Sequence, residues 1–341
     1  MTPLRYLTSF FFLALLALGE WLGGGWTFLA AGATPVCIAG LDVTLGEDGE
    51  GSPEAQIARW LPRLYIVLQL AANGVSAGLV ASPTTSLVES IGLILSAGIT
   101  TGVFGFLAAH EMIHSPSRRE RALGLTFLAT VFYMHFRVAH VYGHHRRAAT
   151  VDDPATARLG EGLYAFLVRT IFGQFVEAWM FEAQRRRRTG RPVFGLGNRM
   201  IVYVTVEALL LATIAQVSLP AAVFLILVAV IAIALLEAFN YVAHYGLRRR
   251  LLPDGRPERL TPRHSWNSAR RMNNAALFNM GRHSHHHRVM TQSFEGLQPV
   301  SGDARLPAGY AAALLTALIP PLWKRIMDPR ARALSAGEQS A

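Results

Sequence analysis

Residues 220–246 read PAAVFLILVAVIAIALLEAFNYVAHYG. From Pro220 to Val242 the run is almost wholly apolar, with Glu237 as its one acidic or basic side chain. About 20 apolar residues at 1.5 Å rise cover the roughly 30 Å hydrocarbon core of a bilayer. A backbone in lipid must satisfy its own polar groups, so the stretch must be helical. His244 follows immediately. The chain thus predicts a membrane helix that delivers an imidazole to the bilayer surface.

Working outward, five more apolar runs qualify as spans: Leu4 to Trp21, Gly25 to Val43, Trp60 to Val80, Leu87 to Ala109 and Met200 to Val217. The first two form a tight pair joined by Gly23, Gly24 and Gly25, and the apolar pattern continues to Ile38, which reads as a retained hairpin rather than a cleaved leader. The composition agrees: 52% hydrophobic and 16% charged, where soluble proteins carry about 25% charged residues. The expected fold is all-α, a polytopic six-helix transmembrane bundle. Residues 1–327 form a single integral-membrane domain, and 328–341 a polar tail expected to fray. Ala122 to Ala139 is also apolar, but as a seventh span it would move Arg185–Arg188 to the opposite side, so it is read as a helix packed at the membrane face. Leu163, Phe166, Leu167, Ile171, Phe175 and Trp179 recur at helical spacing, which predicts an interfacial amphipathic helix within Leu159 to Glu182. Leu251 to Arg263, rich in proline, reads as a loop.

The net charge of +10 does not point to nucleic acid, because the arginines flank apolar runs, as at Arg118, Arg119 and Arg121. The turns at Gly23, Pro83 and Leu219 contain no Lys or Arg. By the positive-inside rule both termini and all the arginine-rich segments lie in the cytoplasm, with the chain in a bacterial-type inner membrane. The single cysteine, Cys37, allows no internal disulfide, thiolate site or CxxC motif, so any metal must take nitrogen and oxygen ligands.

Nine of the 12 histidines form four clusters: His110 and His114; His140, His144 and His145; His244; and His283, His286 and His287. Residues three or four apart share a helix face, so three of the clusters can each present two or three imidazoles to one point. Nine imidazoles exceed the four of a structural zinc site. Two ions sharing them receive four or five each. Imidazole suits zinc, copper, nickel and iron, and a dinuclear centre at a membrane boundary favours redox iron without deciding it. His110, Glu111 and His114 also match the zinc peptidase signature, but that reading uses one cluster and leaves three idle. A non-catalytic metal-binding or sensor protein is a third class. All four clusters fall on the side assigned to the cytoplasm, where polar groups at a membrane edge are functional by default.

Four stretches carry a family resemblance: HEMIH at His110, HVYGHHRRAATVDDPATAR from His140, NYVAHYGL from Asn240 and GRHSHHH from Gly281. LGED at Leu45 to Asp48 and the sequence from Trp266 to Asn274 add to it. Together they resemble the membrane alkane 1-monooxygenases, within the fatty acid desaturase and hydroxylase superfamily. The resemblance implies two non-haem iron ions held by His110, His114, His140, His144, His145, His244, His283, His286 and His287. It also implies O2-dependent hydroxylation of an n-alkane's terminal methyl, with electrons from a rubredoxin-type donor and its NADH-dependent reductase. Aryl-methyl (xylene-type) hydroxylation and acyl-chain desaturation are the related alternatives. His135, His264 and His285 fall outside the motif positions. This chain has Ala139 and Ala243 where the family's second and third motifs usually have Glu, and His285 where Asp is usual, which bears on substrate more than on metal.

Candidates for orienting the ligands follow from position. Glu237, Asn240, Tyr241 and His244 share a face of the last span, and a carboxyl group in an apolar helix is expensive unless paired. Asp152 and Asp153 follow the second cluster closely enough to accept a ring N–H.

Overall fold

The computed structural model describes residues 3–49 and 58–337. It is mostly helical. In chain order the helices are α1 (Thr8–Leu22), α2 (Leu29–Thr44), α3 (Leu61–Ala81), α4 (Leu87–Thr100), α5 (Phe106–His114), α6 (Arg118–Thr130), α7 (Phe136–Val138), α8 (His145–Arg147), α9 (Leu163–Arg188), α10 (Arg199–Val217), α11 (Leu219–His244), α12 (Arg271–Ala276), α13 (His283–Arg288), α14 (Tyr310–Ala317) and α15 (Pro320–Gly337). Two short strands, β1 (Trp266–Asn267) and β2 (Ala304–Arg305), pair in parallel.

Six helical segments among the described residues are long and apolar enough to cross a membrane: Leu4–Leu22, Gly24–Thr44, Ala58–Ala81, Leu87–His114, Arg199–Val217 and Leu219–His244. These are the expected spans with shifted ends. The fourth is longer than its apolar run, because α4 passes through a π turn at Thr101–Gly105 into α5 without a break. His110 and His114 therefore lie inside the final turns of the span rather than beyond it. The widened turn is held from α3. Gln69 Nε2 donates to the hydroxyls of Thr100 and Thr101 at 3.2 and 3.1 Å, and Asn73 Nδ2 donates to Thr101 at 3.1 Å. Such polar contacts join helices in a medium where apolar side chains have little reason to prefer each other over lipid.

The arginine-free end of the bundle is tied by one carboxylate. Glu89 completes a capping box with Ser86 at the start of α4 and also accepts the Gly24 N–H at 2.7 Å. At the other end, α6 packs on α5 and is not among the spans. Helix α9 runs from Leu163 to Arg188, and the sense of its amphipathicity differs from expectation. Thr170, Gln174, Glu177 and Glu182 face inward, while Val168, Phe172, Val176 and Met180 face outward. The reason lies in what it packs against: Thr170 donates to Glu237 and Glu177 pairs with Arg147. The C-terminal segment also departs from expectation. Instead of fraying at Asp328, α15 continues to Gly337, because Trp323, Met327 and Ala331 form a buried stripe and Tyr245 donates to Asp328 Oδ1 at 2.6 Å. Residues 338–341 of the expected tail lie outside the described residues.

Candidate metal centre

Four elements end at one point. Helix α5 brings His110 and His114 in its last turns, and α11 ends on His244. A second π turn, Ala139–His144, joins α7 to α8 and carries His140 and His144, with His145 opening α8. Helix α13 carries His283, His286 and His287. The nine side chains form two groups, each with its ligand atoms within 4.8 Å of one another. One group is His110, His114, His140, His145 and His286; the other is His144, His244, His283 and His287.

The clusters do not each serve one point, as α-helical spacing predicts for His140 and His144. A π turn closes with an i→i+5 hydrogen bond, so residues five apart come to share a face. His140 and His145 consequently point to the same group, with Nε2 atoms 3.1 Å apart. His144 points to the other. Helix α13 divides similarly: His283 and His287, four apart, face one group at 3.1 Å, and His286 faces the other, 3.1 Å from His145.

The donor set fits metal ions. An imidazole nitrogen sits about 2.0–2.1 Å from a first-row dication, so ligands at right angles stand about 3 Å apart. The observed Nε2–Nε2 separations are 2.8 Å for His110–His140 and 3.2 Å for His244–His283. Burial, reinforced by the neighbouring rings, holds His140, His145, His283, His286 and His287 well below the ordinary histidine pKa. They are neutral, with lone pairs available. Both ring nitrogens of His114 are buried and lack a hydrogen-bond partner, as does Nε2 of His144, and buried polar atoms in a protein are seldom left unmet.

Two ligand orientations are set by hydrogen bonds through the other ring nitrogen, as metal-bound histidines commonly require. His144 Nδ1 meets Asp153 Oδ2 at 2.8 Å, and Asp153 is fixed by Thr156 Oγ1 at 2.7 Å and the Ala155 N–H at 3.1 Å. Burial alone would raise the Asp153 carboxyl pKa; His144 and Thr156 bring it below the usual value. His244 Nδ1 donates to the backbone carbonyl of His264 at 3.1 Å. Asp152 is exposed, and among the described residues Glu237 and Asn240 hydrogen-bond to groups other than the nine histidines. Glu237 instead accepts from Tyr133, Thr170 and Asn240 at 3.0, 3.0 and 3.2 Å. It ties α9 and the turn before α7 to the last span. His135 and His285 belong to neither group.

Sequence reasoning missed a latch beneath α13. Asp48 is buried between Arg5, at 2.8 Å, and Arg282, at 3.0 Å. Arg282 is the residue before His283, and its guanidinium also donates to the carbonyls of Gly49 and Leu297. The signal was present in LGED, but nothing local connects Asp48 to a residue more than two hundred positions away.

The family model for fatty acid desaturases matches residues 85–315, which contain all nine histidines. Alkane 1-monooxygenase 2 of Pseudomonas aeruginosa is 36% identical over 334 residues, covering 95% of this chain and 89% of the relative. Alkane 1-monooxygenase 1 of the same organism is 39% identical over 310 residues, covering 88% and 81%. The chain belongs to the alkane 1-monooxygenase family. The hydroxylase component of a Pseudomonas putida xylene/toluene monooxygenase is more distant, 28% identical over 332 residues with 95% and 87% covered. As a member of this family of oxidoreductases, the chain packs Ala139 and Ala243 with no exposed surface. Among the described residues the carboxylate bonded to one of the nine histidines is that of Asp153.

Proposed function

We propose that this protein hydroxylates the terminal methyl of an n-alkane at a centre of two iron ions, consuming O2. The observation that carries the reading is the division of nine imidazoles, seven of them buried, into groups of five and four where two membrane spans end. The overall reaction balances as R–CH3 + O2 + 2 electrons + 2 protons giving R–CH2OH + H2O. When bound, the metal pair supplies the redox chemistry that activates O2. The protein's own contribution is to hold nine imidazoles in place, with Asp153 and the His264 carbonyl orienting His144 and His244.

The hydrocarbon site is an apolar cavity of about 220 Å³ between α2, the fourth span, α11 and α14. Its lining includes Ile38, Ile99, Val103, Leu235, Ala238 and Leu314. Phe239, the neighbour of Ala238, lies with its ring centroid 5.6 Å from that of His283. The cavity lies among the lipid-embedded helices, with Phe239 and then His283 following its Ala238 wall, and its apolar lining suits an alkyl chain. Arginines concentrate in the segments at the histidine end, and the opposite turns at Gly23, Pro83 and Leu219 have none. This asymmetry supports a reading in which the centre faces the cytoplasm from an inner membrane and takes electrons from a rubredoxin-type donor served by an NADH-dependent reductase. The peptidase alternative is disfavoured, since Glu111 is in neither group and accepts the Phe294 N–H instead.

Purified enzyme should contain two irons per chain and convert octane or hexadecane to the primary alcohol with NADH, reductase and rubredoxin. One zinc per chain would overturn the metal assignment. Products from alkylbenzenes or fatty acids alone would move the substrate to the xylene-type or acyl-chain class.

A further inference from the structure

The two histidine groups differ in access as well as in number. All members of the four-histidine group are buried, whereas His114 and His145 of the five-histidine group are half-buried. Three of the four are also covered: His144 by Asp153, His244 by the His264 carbonyl and His283 by the Phe239 ring. On the other side a polar pocket of about 420 Å³ reaches His114 itself. Its walls come from α3 (Arg63), α5 (Glu111, His114), the start of α6 (Glu120) and the loop Met290 to Ser293. Within it the guanidinium charges are already met. Arg63 pairs with Glu120, and Arg59 with Glu295. Glu111 adds a further carboxyl group, and Ser115, Ser117, Thr291, Gln292 and Ser293 supply neutral oxygens. Oxygen-lined surfaces with balanced arginines let a hydrated divalent cation approach without the repulsion that unpaired guanidinia would impose.

We infer that this pocket is the port through which the five-histidine site exchanges its metal ion with water, while the four-histidine site is closed. The inference rests on the two-metal reading above. His114 is the gatepost. Its ring lies 4.6 to 5.1 Å, centroid to centroid, from those of His110, His140, His145 and His286. His114 is the one member of the five that lines the pocket, with its ring nitrogens buried behind the wall, so its ring separates the pocket from the remaining four imidazoles. The apolar cavity beneath α14 offers no such path, because its lining is almost entirely hydrocarbon.

The test uses full-length holoenzyme in detergent, loaded with two ferrous ions per chain and challenged with 2,2'-bipyridine. Metal per chain is followed over time. Two equal phases are expected, one equivalent leaving much faster than the other. Gln292→Trp and Met290→Trp narrow the port from its loop wall and should slow the fast phase several-fold while leaving the slow phase unchanged. Asp153→Asn, which weakens the orientation of His144, should accelerate the slow phase by about 10–100-fold and leave the fast phase alone. A single phase releasing both ions, or a fast phase indifferent to both tryptophans, overturns the port. A holoenzyme that never holds two ions overturns the two-metal reading instead. The unchanged slow phase in the tryptophan variants shows that they are folded.

Discussion

His140 and His145 bring their Nε2 atoms to 3.1 Å of each other although they stand five residues apart, and His144 between them serves the other group. The π turn at Ala139–His144 makes this possible. Neighbouring histidines therefore have unequal importance for the two sites. His144→Ala leaves one group with three imidazoles, and His145→Ala leaves the other with four. Elemental analysis of purified variants should show about one metal per chain lost from His144→Ala and a smaller loss from His145→Ala. Equal losses would mean that the two histidines serve one ion.

Asp48 sits between two guanidinia with its side chain fully buried, and Arg282 beside it is only 3% exposed. Asp48→Asn keeps the shape and removes the charge that both arginines require. Breaking a buried pair from one side typically costs about 3–5 kcal/mol, so a clearly lower midpoint of thermal unfolding is expected. Reduced metal content should accompany it, because Arg282 leads directly into α13. Wild-type stability in this variant would remove the latch from the account of how His283, His286 and His287 are held.

Ala238 lines the apolar cavity one residue before the phenylalanine that touches His283. Ala238→Phe fills that space without altering a histidine. Gas chromatography of the alcohols formed from mixed octane and hexadecane should show the longer product falling relative to the shorter, with two irons per chain retained. An unchanged product ratio would place the alkyl chain elsewhere.

Acid should release metal and destabilise the fold together. His140, His145, His283, His286 and His287 are held below the ordinary histidine value by burial. The unfolded chain, with ordinary values near 6.5, then binds more protons than the folded one below about pH 6.5, so stability falls as pH drops through that point. Protons also compete with metal for the same nitrogens. Chelator-driven metal loss and thermal midpoint, measured from pH 8 down to about 5.5, should both worsen below about 6.5. A flat response would show that these rings are not the groups being protonated.

Much of the molecule was legible in the chain. The spans were, because hydrocarbon forces a helix on any long apolar run, and Pro220 to Val242 admits no other structure. The four histidine clusters were too, since their residue type and common side do not depend on packing. Three things needed the tertiary structure. The assignment of nine imidazoles to groups of five and four turned on a π turn, an extra residue per turn that α-helical spacing cannot anticipate. The roles of Asp153 and Asp48 depended on which partner came within 3 Å; Glu237, equally suggestive in sequence, is spent on Tyr133, Thr170 and Asn240. The inward polar face of α9 and the order of α15 came from neighbours remote in the chain. Sequence determined which side chains are candidates to bind metal and that they cluster where apolar spans end. Tertiary structure alone decided how they divide, because that depends on the direction in which each ring points once four separate elements have packed.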